Sequence, residues 1–443
     1  MLKKALFGTT LALSLPLHAD FLTALQAFER KDYLVAEREF TALLPLANEQ
    51  AAFNLAAMAL HGQGGTVNPV KAAAYLQLAA DWGHDEATTA LHGVLQQLDP
   101  AQTTEATQLA RQLKEATLIG KDLKEPDYPA AALSVQRRVE PQYPVAAARN
   151  GQFGYVTLQY LVNENGDVIA VDTLDSFPEH VFEKTSVTAL KRWKFNPSGQ
   201  KQLGQVKLTY SLGELKPAAL QTWLKTNQVW SFAATGSPRH QEALGSLLHL
   251  ISNNSGIELQ TDNSKAFDAE KLPEILFSFR KFSSRLELKD FNGSAKVRTY
   301  QEGNITQVLA FTPDPHHQMT QPQAEKILLG QHISKATAGD YQLTAQLTGR
   351  TLVRPIQAIH PFYHDQFWWE QAAKNGDLRA QRVMAASAPD WQAWLLRQND
   401  PQVQTWQGVK LILSGNTATG TALLRQAKAQ DYPVAKQLAD VFL

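Results

Sequence analysis

His360 and His364 stand four residues apart, a spacing that would place two metal ligands on one helix face, but Pro361 argues against a regular helix there. His316 and His317 lie in a Pro-rich stretch beside Asp314. Two histidines without a third ligand make a poor metal site, and surface or capping roles read better for both pairs. Carboxylate pairs such as Asp172 and Asp175 follow no spacing that defines a general acid and its base. No His-Glu-x-x-His helix, no phosphate loop ending in Gly-Lys-Ser/Thr and no Gly-x-Ser-x-Gly elbow occurs. Cysteine is absent, which removes thiolate zinc sites, iron–sulfur clusters, disulfides and cysteine nucleophiles. The reading is therefore no catalytic, cofactor-binding or metal residues, and no enzyme.

The chemistry the sequence does offer belongs to the backbone. Between about Glu125 and Leu212 the apolar period changes from 3.6 to 2, the mark of strands. Val156, Leu158, Tyr160 and Val162 alternate along one strand, Asn163-Glu164-Asn165-Gly166 supplies a tight turn, and Val168 to Thr173 returns. Ser176-Phe177-Pro178-Glu179 reads as a capping box opening a helix that sets Phe182, Ala189 and Trp193 on one face. A last strand, Gln205 to Leu212, alternates Val206, Leu208, Tyr210 and Leu212. The expectation is a small antiparallel three-stranded sheet with one packed helix, in which Val156, Trp193 and Phe195 are core. The last strand is its candidate open edge.

Around that unit, 443 residues allow about three domains. Lys+Arg and Asp+Glu are both 42, and a net charge of zero argues against nucleic acid as a partner. Met1 to Ala19 has the form of a cleaved secretory signal: Lys3 and Lys4, an uncharged run, then Leu17-His18-Ala19. The alternative is an inner-membrane anchor facing the periplasm, although the run is short for a bilayer and Pro16 interrupts it. Helical periodicity holds from Phe21 to about Gly120, with Asn68-Pro69 placed to cap and start a helix after Gly62 and Gly64. It returns more weakly near the C-terminus in Trp369, Ala372-Ala373, Gly376 and Ala380, and again from Leu411 to Ala435. Between these, Pro217 to Thr226 and Gln241 to Ile251 read as helices, Lys296 to Tyr300 with Ile305 to Phe311 as a hairpin, and Tyr341 to Leu347 as a strand.

The order Leu55, Gly62, Gly64, Lys71-Ala72, Tyr75, Ala79-Ala80, Gly83, Ala87 resembles a Sel-like repeat, a relative of tetratricopeptide repeats, a family that serves as protein-docking scaffolds. Arg138-x-x-Pro141-x-Tyr143-Pro144-x-x-Ala147, Gly151-x-x-Gly154-x-Val156, Gly166-x-Val168, Ser176-x-Pro178, Phe182, Ala189 and Trp193-x-Phe195-x-Pro197 together resemble the C-terminal domain of TonB-family energy transducers, over residues 137–212. The resulting fold class is multi-domain α+β, a TonB C-terminal-like sheet and helix flanked by all-α repeat arrays. The parts are a signal at 1–19, helical repeats at 20–120, the TonB-like domain at 125–215, a mixed region of unread role at 216–355 and a second array at 360–443.

That resemblance implies a periplasmic protein that adds a segment of a TonB-dependent outer-membrane receptor, or a similar extended peptide, as a strand on its sheet edge. Energy-coupled transport across the outer membrane would follow. The residues it implicates are Glu140, Gln142 and Tyr143 near the peptide, and Gln205, Val206, Lys207, Leu208, Thr209 and Tyr210 along the edge. An ExbB/ExbD-type inner-membrane motor is a partner only if the N-terminus is retained. Ser14 and His18 have the family's spacing, but Asp20 ends the apolar run, and the match reads as coincidence. The alternative function is a non-transducing periplasmic scaffold whose helical repeats bind other proteins. About 230 residues follow a domain that ends the chain in the family, and they could cover the edge the mechanism requires.

Overall fold

A computed structural model describes residues 20–123, 133–213, 215–254, most of 257–356, and 364–443. The signal segment, His316, His317, His360 and Leu347 lie outside the described residues. Among the described residues the chain begins with six α-helices: α1 (Phe21–Glu29), α2 (Tyr33–Leu43), α3 (Glu49–His61), α4 (Pro69–Asp81), α5 (Ala87–Leu95) and α6 (Pro100–Ala116). Their starts follow from side-chain caps: Asp20, Asp32, Asn48, Asn68 and Asp99 each accept from a backbone N–H three residues on. Pro69 follows Asn68 in the first turn as the spacing predicts, and Gly62 ends α3 at φ +65, where a left-handed residue closes the last turn. Alanines at 51, 52, 56, 73 and 79 let the helices approach around Phe40, Leu55, Leu76 and Leu78.

The central unit runs β1 (Val135–Arg137), α7 (Val145–Arg149), β2 (Gly154–Val162), β3 (Val168–Phe177), α8 (Glu183–Leu190), β4 (Lys194–Phe195) and β5 (Gln202–Tyr210). Strands β3, β2 and β5 form an antiparallel sheet in that order, and β1 pairs with β4 as a separate ribbon. Val156, Leu158, Tyr160 and Val162 share one face, packed with Phe182, Leu190, Trp193 and Phe195 as the alternation required. Two local expectations are corrected. No capping box forms at Ser176, because β3 continues through Phe177. The Ser176 hydroxyl instead donates to Glu183 at the start of α8, 2.7 Å away. The last strand begins at Gln202 and ends at Tyr210, leaving Leu212 outside it and 57% exposed.

Next come α9 (Pro217–Thr226), α10 (Val229–Ala234), α11 (Pro238–Asn254), β6 (Ile257–Gln260), β7 (Leu276–Phe279), β8 (Ser284–Leu286), β9 (Gly293–Thr299), β10 (Ile305–Pro313), α12 (Gln321–Leu328), β11 (Gly339–Ala345) and β12 (Thr351–Ile356). The expected hairpin is the β9–β10 pair, within a five-stranded sheet ordered β10-β9-β11-β12-β8 that has its own core.

The chain closes with α13 (Asp365–Lys374), α14 (Leu378–Ala385), α15 (Pro389–Arg397), α16 (Pro401–Leu413), α17 (Thr417–Ala429) and α18 (Pro433–Phe442). The first and last helical segments share one hydrophobic core, in which Trp369, Ala372, Trp391 and Leu395 pack with the residues of α1–α6. Asn48 caps α3 and also donates to Lys374 O at 2.9 Å and Asn375 Oδ1 at 2.7 Å, and Asn375 donates on to Gln241 of α11 at 2.8 Å.

Helices α16–α18 then dock on the sheet, with Trp406, Val409, Leu424 and Leu438 against Leu161, Ala170 and Leu203. Inside that contact, Asp172 of β3 accepts from Trp406 Nε1 (2.7 Å), Tyr432 OH (2.6 Å) and Gln402 Nε2 (3.2 Å). Burial raises the Asp172 carboxyl above its usual range, so the three donors compensate a desolvated group rather than adding a free gain. Asp172→Ala leaves Trp406 Nε1 and Tyr432 OH without their acceptor, while Gln402 keeps Thr173 O. It should cost about 2–4 kcal/mol in denaturant unfolding, while Asp172→Asn, which keeps one acceptor oxygen, should cost less.

Candidate functional site

Strand β5 pairs with β2 without a register break, from Gly154–Tyr210 to Val162–Gln202. Alternation sorts its side chains between two faces. Val206, Leu208 and Tyr210 join the core under α8. Gly204 is fixed by its partner: a Cβ there would stand 2.4 Å from Tyr160 Cζ, so the ring occupies the space a side chain would need. Leu203, Gln205, Lys207 and Thr209 take the other face.

The two edges of this sheet differ. On β3, register shifts near Ile169 and Leu174 break the ladder, and helix side chains cap its carbonyls. Gln437 donates to Ile169 O (2.6 Å), Gln402 to Thr173 O (2.8 Å) and Arg379 to Ser176 O (2.5 Å). Bulges and capped carbonyls are the means by which proteins blunt an edge strand. On β5, among the described residues, no strand lies on the side away from β2 and no backbone hydrogen bond reaches it from elsewhere. A nine-residue strand is thus left with a regular row of backbone donors and acceptors. The later segments that could have covered this edge cover the second face and the β3 edge instead.

The other implicated residues sit at one end of β5. The Tyr143 ring packs edge-on to Phe182 and Tyr210, and its hydroxyl donates to Gln152 O, so Tyr143 is part of the core lining. Pro144 precedes α7 directly, fixing the chain where that short helix begins. Gln142 and Glu140 are exposed; Gln142 O accepts from Thr185 Oγ1 at 2.6 Å, and Glu140 pairs with Arg138. Glu140 lies close enough to Tyr210 to raise its pKa, although burial is the larger cause. The structure therefore brings Glu140 and Tyr143 near the Tyr210 end and leaves Gln205 to Thr209 running away from them.

Sequence reading missed the polar middle of the second face. Arg379 of α14 reaches Asp175 (3.3 Å), Glu179 (3.1 Å) and Glu242 of α11 (3.3 Å), and Tyr155 OH donates to Asp175 at 2.5 Å. Nearby, His249 lies between Asp365 (2.7 Å) and Lys207 (3.1 Å). The partners lie tens to hundreds of residues apart in sequence, so no local spacing could have shown them. Among the described residues no group of three or more His, Asp or Glu side chains is arranged to hold a metal.

One guanidinium faces three carboxylates, so one of them is left without full compensation. Burial pushes Glu242 up to about 8 from its ordinary 4.5. A carboxyl raised on folding favours the native state fully below the unfolded pKa, and that contribution fades as pH rises through the folded one. Glu242→Gln fixes the neutral form. Its stability relative to the natural chain should therefore grow by about 1–3 kcal/mol between pH 4.5 and 8, followed by thermal or urea unfolding across that range. Parallel pH profiles would contradict the assignment.

The same segment is matched by sequence comparison. Residues 139–213 match the family model described as Gram-negative bacterial TonB protein C-terminal. "Protein TonB" of Yersinia enterocolitica is 34% identical over 58 residues, 13% of this chain and 23% of that protein. "Protein TonB" of Xanthomonas campestris pv. campestris (strain B100) is 38% identical over 71 residues, 15% of this chain and 32% of that protein. The chain thus spans about a quarter to a third of the length of these curated relatives. A solution NMR structure of the Pseudomonas aeruginosa TonB C-terminal domain aligns at 19% identity and a TM-score of 0.18, covering 19% of this chain and 92% of that one. The central unit of this protein, residues 139–213, is similar in sequence to the C-terminal domain of TonB proteins.

Proposed function

We propose that this protein binds an extended segment of an outer-membrane receptor in the periplasm by adding it as a strand beside β5, in support of energy-coupled transport. The observation that carries the reading is the contrast between the two edges: β3 is bulged and capped, and β5 is regular and, among the described residues, without a partner strand on its outer side. The sequence similarity of residues 139–213 supports the same reading. Main-chain hydrogen bonds would supply affinity, and alternating contacts to the two faces of the sheet would supply selectivity. Glu140 and Gln142, both exposed, would meet the segment near the Tyr210 end, while Tyr143 would hold the wall behind it.

Coupling to an ExbB/ExbD-type motor would require a retained membrane segment at the N-terminus, and among the described residues no helix is long and apolar enough to cross a membrane. A second, separable role for the helical layer is supported by a cleft of about 590 Å³ between its two halves, lined by Trp82, Lys114, Asp390 and Trp391. That cleft would suit docking of another protein.

Fluorescence anisotropy with labelled receptor segments and the full chain tests the main reading. Saturable binding is expected. N-methylation of every second peptide amide should weaken it at least about a hundredfold for one alternate set and little for the complementary set, since only one set would face β5. Equal effects of both sets, or no saturable binding, would remove strand addition.

A further inference from the structure

The second face of the sheet forms a roofed cleft that opens beside β5. Its two ends are closed by apolar docking, at Leu161, Ala170 and Leu203 under α16–α18 and at Tyr155 and Phe177 under α11 and α13. Between them Thr157, Gln205 and Lys207 face His249, Trp369, Arg382 and Val383 across a space of about 410 Å³. This roof is built by parts of the chain outside the TonB-like segment, α11, α13 and α14.

Two charges lining this cleft have a close partner of opposite sign: Asp175 is paired with Arg379, and Arg382 with Asp400 at 2.7 Å. His249 donates from Nδ1 to Asp365 at 2.7 Å, which leaves its Nε2 as an acceptor. Lys207 is half-buried, its ammonium donates to His249 Nε2 at 3.1 Å and lies 5.8 Å from the Tyr155 ring, and no carboxylate of the described residues lies within ion-pair distance of it. Burial lowers its pKa, with Asp365 and Asp175 opposing the shift from farther off. A half-desolvated ammonium without a close carboxylate is a position a partner's carboxylate can complete.

Cross-strand neighbours share a face and stand about 5 Å apart at Cβ, so a strand added beside β5 places one side chain next to Lys207, over this cleft. Its flanking residues fall next to Val206 and Leu208, on the apolar face under α8. We infer that the segment added beside β5 is acidic at one position: an Asp or Glu facing Lys207 inside the cleft roofed by α14, between apolar residues that face Val206 and Leu208. This inference rests on the strand-addition reading and adds the chemical class of its partner. Lys207 lies on the face rather than along the rim, so it selects a neighbouring strand instead of repelling every one.

The test uses the full chain and three labelled peptides, Val-Thr-Val-X-Val-Thr-Val with X as Glu, Gln or Lys, in fluorescence anisotropy at low and raised salt. The Glu peptide should bind about tenfold tighter than the Gln peptide, with the advantage shrinking in salt, and the Lys peptide should be weakest. Lys207→Met should make the Glu and Gln peptides equal. Lys207→Glu should reverse the order so that the Lys peptide binds best, a rescue that an unfolded variant could not give. Equal affinity of the three peptides for the natural chain would overturn the acidic preference while leaving strand addition standing. Absence of binding by all three, together with failure of the receptor segments, would remove both.

Discussion

A β-strand at the rim of a sheet exposes backbone groups that must find partners in water, in the protein or in another chain. This sheet has two rims, and the chain treats them differently. On β3 it inserts bulges and aims Gln402, Gln437 and Arg379 at the carbonyls. On β5 it keeps nine residues in unbroken register with β2, and no strand or backbone hydrogen bond of the described chain reaches the outer side. The helical mass that could have hidden this rim goes to the opposite face. Whatever the protein binds, the asymmetry decides where a strand can join.

The same helices explain how a small sheet becomes part of a large assembly. Residues from the two ends of the chain form one core, and Asn48, Asn375 and Gln241 tie three separate helical segments through buried hydrogen bonds. Contact with the sheet combines apolar ends with a polar middle. Asp172, Asp175 and Glu242 are desolvated there and are tolerated because Trp406 and Gln402 of α16, Tyr432 at the start of α18, Arg379 of α14 and Tyr155 of β2 donate to them. Apolar packing sets how strongly the layers adhere, and the polar groups set their register.

Much of the central unit and of the first helical segment was legible because the signals are local. Alternation from Val156 to Val162 and the Asn68-Pro69 start each depend on residues a few positions apart, and both appear where the spacing puts them. The capping box at Ser176 failed for a physical reason. Ser-x-x-Glu is only a permissive pattern, and continued pairing of β3 with β2 through Phe177 held the chain extended. The C-terminal limit of β5 was overestimated because Leu212 continues the alternation after the partner strand has ended at Gly154. The difference between the two edges, and the cleft over Lys207, were not legible. Both depend on contacts such as Arg379 with Asp175 and His249 with Lys207, made across long separations by side chains with no shared spacing.

Hydrogen–deuterium exchange on the full chain, resolved to single amides across Gln202–Tyr210, tests the central claim most directly. In the free protein every second amide of this strand should exchange rapidly while its neighbours, bonded to β2, stay protected. A bound extended peptide should slow the rapid set and leave β3 unchanged. If every amide of the strand is already protected without a partner, the rim is closed and the account is wrong.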